Sequence, residues 1–92
     1  THRQQIDRVR RRSLGRMDVR RRVGLNLKRY REEQGLSQEA FADACGLHRT
    51  YISGIERGVR NPTVVILDKI AKALKVPAGQ FFDDVRGAGR RG

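Results

Sequence analysis

Residues 38–57 read QEAFADACGLHRTYISGIER, and this stretch decides how the rest of the chain folds. Five of its residues, at positions 1, 5, 9, 15 and 18 of the stretch, are Gln38, Ala42, Gly46, Ile52 and Ile55. The small alanine lets a second helix cross close to the first, and the glycine allows a sharp turn. The two isoleucines pack the second helix on a core. The spacing therefore predicts two short helices joined by a tight turn.

Further helices are predicted on both sides of this stretch. Ser37 and Thr63 are N-cap residues, and Gly35 ends the first helix. Asn61 before Pro62 excludes helix between the third and fourth segments. The predicted helices comprise a first helix from Val19 or Val23 to Glu33, then residues 38–45, 48–57 and 64–75, and a short fifth helix from Pro77 to about Phe82. The fold class is therefore all-α, with five helices and a helix-turn-helix.

Positive charge is concentrated at the two ends of the chain, whose formal net charge is +11. Residues 1–23 hold nine arginines against two aspartates, whereas residues 24–84 hold nine basic against eight acidic residues. The predicted organisation is a basic arm at 1–18, a helical domain at 19–84 and a basic tail at 85–92. Basic arms of this kind bind phosphate. The alternatives for residues 1–16 are a solvated tail or sequence upstream of a start at Met17.

Several functional classes find no support in the sequence. The single cysteine, Cys45, excludes a disulfide within the chain and a cysteine metal site, and it is expected to be a small core residue. His48 has no second metal ligand near it, and no catalytic grouping stands out. There is no signal-peptide segment and no apolar run that spans a bilayer. We therefore expect a cytoplasmic protein that is not an enzyme, without cofactor, small-molecule ligand or membrane partner.

Residues 24–82 resemble the Cro/C1-type (XRE-like) helix-turn-helix family, which includes the phage repressors. The match rests on the five spaced residues and on helices of the right length around them. Residues 48–62, HRTYISGIERGVRNP, are similar to the controller proteins of restriction–modification systems. The resemblance implies a lambda-repressor-like fold and a homodimer that binds an operator of two half-sites. It does not extend to the arginine-rich ends.

The resemblance also implies which residues read bases. The third helix of this family enters the major groove with its N-terminal end first. The base-reading residues are then Arg49, Thr50, Tyr51, Ser53 and Gly54. Arg49 suits guanine O6 and N7, and the methyl group of Thr50 suits that of thymine. Gly54 would let the helix backbone approach DNA closely; the alternative is that it relieves packing against a neighbouring helix.

Other residues are assigned to phosphate or to the scaffold. The residues expected to contact DNA phosphate are Gln38, His48, Arg60 and Asn61, with Lys28 and Arg57 as weaker candidates. Gln38 begins the second helix, where free N–H groups favour an anion. The resemblance makes Arg31 and Glu56 a structural ion pair between the first and third helices.

A dimer interface is expected on the fourth and fifth helices. The apolar stripe of the fourth helix comprises Val64, Leu67, Ile70, Ala71 and Leu74. Val65 and Ile66 are apolar residues on its outer face, and Phe81 and Phe82 are adjacent, so that both cannot face one core equally. These four residues are assigned to the interface between two copies. The alternative is that they complete a small core.

The function that the sequence favours is a sequence-specific regulator of transcription, acting as a homodimer on double-stranded DNA with an inverted-repeat operator. An antitoxin or a phage-type repressor is the alternative within DNA binding. The alternatives from other classes are a protein-interaction module and an RNA-binding protein that uses its arginine-rich ends. The outward-facing polar residues of the third helix argue against a protein-only module.

Overall fold

Residues 17–85, which the computed structural model describes, form four α-helices followed by a 3₁₀ helix. The helices are α1 (Val19–Glu33), α2 (Gln38–Cys45), α3 (Arg49–Glu56), α4 (Val64–Leu74) and the 3₁₀ helix (Ala78–Phe82). The four predicted α-helices and the all-α class are confirmed. Residues 1–16 and 86–92, most of the two basic ends, lie outside the described residues. None of the helices in residues 17–85 is long and apolar enough to cross a membrane.

Local side-chain and backbone signals explain where the helices begin and end. The Ser37 hydroxyl accepts a hydrogen bond from the Ala40 N–H at 3.0 Å, and the Thr63 hydroxyl accepts one from the Ile66 N–H at 3.1 Å. Each bond satisfies a donor that has no partner within its helix. Gly46 ends α2 with a φ of 71°, a left-handed conformation that glycine adopts without steric cost.

The predicted fifth α-helix is wrong, because the segment is a 3₁₀ helix of five residues. The Gln80 N–H donates to the Pro77 carbonyl at 3.0 Å, which is the three-residue spacing of a 3₁₀ turn. Such a short segment, with Gly79 at its centre, cannot offset the entropy of starting an α-helix. The turn is held by its packing, since Phe81 is fully buried.

The core lies where all five elements meet. It consists of Val23, Leu27, Phe41, Ala42, Cys45, Ile52, Ile55, Ile70, Ala71, Leu74 and Phe81. Val64, predicted to lie on the buried stripe of α4, is 82% exposed. It is the first residue of α4, one turn before Leu67, which packs against the core. The stripe therefore begins at Leu67.

Two residues of α1, Asn26 and Gly24, hold neighbouring elements against this helix. Neither role was predicted from the sequence. Asn26 is fully buried, and its Nδ2 donates to the carbonyls of Phe81 at 2.8 Å and Asp83 at 3.0 Å. Gly24 lies against the end of α3, where a Cβ atom would stand 2.6 Å from the Glu56 carbonyl oxygen. These contacts hold α1 against both the 3₁₀ helix and α3.

Replacing Gly24 by alanine tests this close approach. Gly24→Ala should lower the free energy of unfolding by about 1–3 kcal/mol, because displacing the α3 backbone outweighs the gain of about 1 kcal/mol in helix propensity. The measurement is urea unfolding of the full chain. Gly79→Ala is the matched control, since nothing lies within 4 Å of its Cβ position and its φ is not positive. Equal effects of the two substitutions would contradict the close approach.

Candidate nucleic-acid interface

A tight turn between α2 and α3 sets the direction in which α3 points. The Leu47 N–H donates to the Ala42 carbonyl at 2.9 Å, and the Gly46 N–H donates to the Asp43 carbonyl at 3.2 Å. Ala42 is buried where α2 packs, and Ile52 is fully buried beneath α3. The two helices therefore form the helix-turn-helix that the spacing predicts.

The first turn of α3 presents polar side chains to solvent. His48, Arg49 and Thr50 are exposed, while Tyr51 and Ser53 are half-buried. His48 is the N-cap, but its side chain makes no capping hydrogen bond. Arg49 makes no ion pair with another residue of the described range 17–85. The N-terminal end of α3 therefore offers free hydrogen-bond donors and an uncompensated guanidinium group.

At the other end of α3, a buried ion pair joins this helix to α1. The Arg31 Nε donates to the Glu56 carboxylate at 2.6 Å, and its Nη2 donates to the same carboxylate at 3.0 Å. The Arg31 Nη1 donates to the Leu36 carbonyl at 2.6 Å. The bonds to Glu56 raise the pKa of Arg31, against the opposing effect of burial. All three guanidinium nitrogens are engaged within the domain, so Arg31 serves the scaffold.

Gln38 is bonded to the same ion pair. Its Nε2 donates to the Glu56 carboxylate at 3.0 Å, which adds α2 to the link between α1 and α3. Nε2 carries a second N–H, while Oε1 is an acceptor that an anion repels. The second N–H and the free backbone donors at the start of α2 are therefore the groups with which this residue can bind a phosphate.

Gly54 does not present open backbone to a ligand, because the side chain of Arg60 covers it. A Cβ atom at Gly54 would lie 3.3 Å from the Arg60 Cβ and would overlap the Arg60 Cγ. The Arg60 guanidinium carbon lies 5.8 Å from the centre of the Tyr51 ring. In this structure the missing side chain of Gly54 makes room for a loop residue, while the close approach to DNA at Gly54 stays a prediction.

The four residues predicted for a dimer interface occupy different environments. Phe81 is fully buried in the core and has no surface to offer to a partner, which corrects that assignment. Ile66 is half-buried and packs against the core. Val65 and Phe82 are 74% and 46% exposed. Both line an open, mainly apolar groove whose other residues are Val64, Leu67, Asp68, Ala78 and Gly79.

The remaining candidate residues are exposed on the surface after α3 or, for Cys45, buried in the core. Arg57, Arg60 and Asn61 lie exposed after α3. Cys45 is buried, and desolvation raises the pKa of its thiol although Lys69 acts in the opposite direction. Residues 17–85 contain no group of three or more histidine, cysteine or acidic side chains that could hold a metal ion.

Comparisons with known proteins agree with this geometry. The helix-turn-helix family model HTH_3 matches residues 27–81. The control protein C.MunI of a Mycoplasma species is 44% identical over 69 residues, which cover 74% of this chain and 93% of that protein. The HTH-type transcriptional regulator y4dJ of Sinorhizobium fredii is 48% identical over 60 residues, covering 65% of this chain and 78% of that protein.

Solved structures show the same similarity. The restriction-modification controller protein C.AhdI of Aeromonas hydrophila superposes with a TM-score of 0.66 at 40% sequence identity. The superposition covers 68% of this chain and 96% of that one. A hypothetical transcription factor from Neisseria has a TM-score of 0.72 at 35% identity, with 82% and 86% of the two chains covered.

The contact between Gly54 and Arg60 predicts coupled substitutions. The change in the free energy of unfolding caused by Gly54→Ala should be more favourable by about 0.5–1.5 kcal/mol when Arg60 has been replaced by alanine than in the wild type. In the wild type the new methyl group displaces the Arg60 side chain from Tyr51, which opposes the gain in helix propensity. In the Arg60→Ala protein only that gain remains. Urea unfolding of the four proteins of this double-mutant cycle measures the coupling. A coupling of zero would mean that Arg60 does not occupy the space above Gly54.

Proposed function

The chain belongs to the helix-turn-helix family HTH_3, of Cro/C1 (XRE) type, whose members are DNA-binding transcriptional regulators, and we propose that it acts as a homodimer on an inverted-repeat operator. One observation carries this proposal: the first turn of α3 exposes polar side chains, while Glu56 at the last position of the same helix is held in a buried ion pair with Arg31. Similarity to control proteins over nearly the whole of C.MunI supports restriction–modification genes as the regulated target.

Base reading is assigned to the first turn of α3, the recognition helix. Arg49 is exposed and makes no ion pair with another residue of the described range 17–85, so its two-pronged guanidinium group is available for guanine O6 and N7. Thr50 is exposed beside it and offers a methyl group to thymine. Tyr51 and Ser53 are half-buried and complete the edge of this surface.

Phosphate contacts are assigned to residues around the recognition helix. Gln38 lies at the start of α2, His48 at the N-cap of α3, and Asn61 in the loop after α3. Arg60 is exposed, and its guanidinium carbon lies 5.8 Å from the centre of the Tyr51 ring, beside the same surface. The basic ends of the chain at 1–18 and 85–92 add charge-driven affinity for any duplex. Such contacts orient the domain and carry no direct sequence information.

Homodimerisation is assigned to the apolar groove between α4 and the 3₁₀ helix. Val64, Val65 and Phe82 are among the most exposed large apolar residues of the described range, and all three line this groove. A second copy that binds there would remove their side chains from water, which favours association. Because a twofold dimer uses the same patch on both copies, the groove would meet its own image.

Selection from a random duplex-DNA library tests the function of the full chain. We expect enrichment of an inverted repeat whose half-sites lie about one helical turn apart, at near-physiological salt with excess competitor DNA. Recovery of no common sequence would contradict the proposal. Binding to single-stranded or structured RNA in a parallel selection would then favour an RNA-binding protein that uses its basic ends.

The substitution Arg49→Ala tests the assigned base reader. It should remove about 1–3 kcal/mol of discrimination at one base pair in each half-site, because the bidentate contact with guanine is lost. Competition binding with operators mutated one base pair at a time measures this loss. Lys69→Ala is the control, since it removes an exposed cation from α4. An unchanged site preference in Arg49→Ala would assign base reading to other residues.

The substitution Val65→Glu tests the dimer interface. A carboxylate in a self-complementary apolar contact places two like charges near each other, so the dimer dissociation constant should rise by roughly tenfold or more. Analytical ultracentrifugation of the full chain measures it. Val59→Glu is the matched control, because Val59 is 62% exposed in the loop after α3 and does not line the groove. A dimer that tolerates Val65→Glu would move the interface elsewhere.

A further inference from the structure

The first turn of α1 contains three arginines, at a place where positive charge lowers the stability of the helix. Arg20, Arg21 and Arg22 follow one another at the positive end of the helix dipole, and the turn contains no acidic residue. The N-cap carboxylate of Asp18 compensates Arg20, with contacts of 3.2 Å. Arg21 is exposed and makes no ion pair within residues 17–85. The stability of α1 therefore does not explain Arg21.

Packing brings Arg21 to the C-terminal end of the recognition helix. A Cβ atom at Gly58 would lie 3.2 Å from the Arg21 Cα and 3.4 Å from its backbone nitrogen. One turn further along α1 the approach is closer, since a Cβ atom at Gly24 would lie 2.6 Å from the Glu56 carbonyl oxygen. Both contacts are between backbones of packed elements. The position of Arg21 beside the chain that leaves α3 is thus set by the fold.

Within residues 17–85, the acidic side chains of α3 and of the N-cap of α1 are already paired with residues other than Arg21 and Arg57. Glu56, the nearest carboxylate on α3, is buried and already accepts bonds from Arg31 and Gln38. Arg57, which caps α3 just before Gly58, is exposed and makes no ion pair with the residues of the described domain. Two adjacent segments therefore each expose one uncompensated guanidinium group.

We propose that Arg21 and Arg57 form a phosphate-binding corner that contacts the DNA backbone beside the C-terminal end of α3. Guanidinium groups bind phosphate oxygens through paired N–H donors, which suits two exposed arginines with no internal acceptor. The proposal rests on the proposed DNA binding and adds a residue from outside the helix-turn-helix. A different role for Arg21, which is neutralising the negative end of the α3 dipole, is separated from it by experiment.

The test compares the salt dependence of duplex binding for three full-length variants, Arg21→Gln, Arg57→Gln and Lys69→Gln. Fluorescence anisotropy gives the association constant for the selected operator and for an unrelated duplex at several NaCl concentrations. For Arg21→Gln and Arg57→Gln, the slope of log association constant against log salt should become shallower by about 0.9 each. Affinity at 0.1 M salt should fall roughly five- to tenfold, equally on both duplexes. Lys69→Gln, on the exposed side of α4, should keep the wild-type slope.

Each outcome decides the proposal. If Arg21→Gln keeps the wild-type slope, or changes it no more than Lys69→Gln, the corner does not bind phosphate. A lower melting temperature with an unchanged slope would assign Arg21 to the α3 dipole and overturn the proposal. A loss confined to the operator would make Arg21 a base-reading residue instead. Failure of the proposed function appears separately, as a wild-type chain that binds both duplexes equally or neither.

Discussion

The recognition surface depends on one buried interaction, the ion pair between Arg31 and Glu56. Taking two charges out of water is costly, so such a pair adds little to stability, whereas removing one partner costs about 3–5 kcal/mol. Its value here is geometric. The Glu56 carboxylate accepts from Arg31 on α1 and Gln38 on α2, while Arg31 also donates to the Leu36 carbonyl. Few placements of α3 satisfy all of these bonds together, so they fix the helix whose first turn is proposed to read bases.

Close backbone packing adds a second constraint of the same kind. Gly24 allows α1 to reach the carbonyl groups at the end of α3, and Gly58 allows the chain after α3 to pass beside Arg21. Because these contacts are between backbone atoms, no flexible side chain can adjust to a shift of one helix relative to the other. Hydrogen bonds to base edges require accurate placement of the donors, which a rigid mount provides. The rigid end of α3 thus supports an exposed first turn whose side chains remain free.

The helices and the turn were predictable because their signals are local. Ser37, Thr63, Gly35 and Gly46 mark helix ends within a few residues of their effects, and all four act as expected. The burial of Phe81 depends on a contact between distant residues. Pairing of Asn26 with the Phe81 carbonyl spans 55 positions, and the burial of Phe81 follows from that docking. The packing at Gly54 has a different origin, because its space is filled by Arg60 from the loop that follows α3, and the pattern of residues does not show the path of that loop.

The same long-range contacts connect the two halves of the proposed function. Asn26 fastens the 3₁₀ helix to α1, and Tyr30 adds a hydrogen bond of 2.7 Å to Gln80. The 3₁₀ helix that contributes Phe82 to the groove is therefore bonded to α1, and α1 also provides Arg31 for the ion pair with α3. One turn of base readers distinguishes few sequences, so specificity in the proposed dimer comes from two half-sites at a fixed spacing. In the proposed dimer that spacing is set through α1, so this helix matters to operator choice as much as α3, to which base reading is assigned.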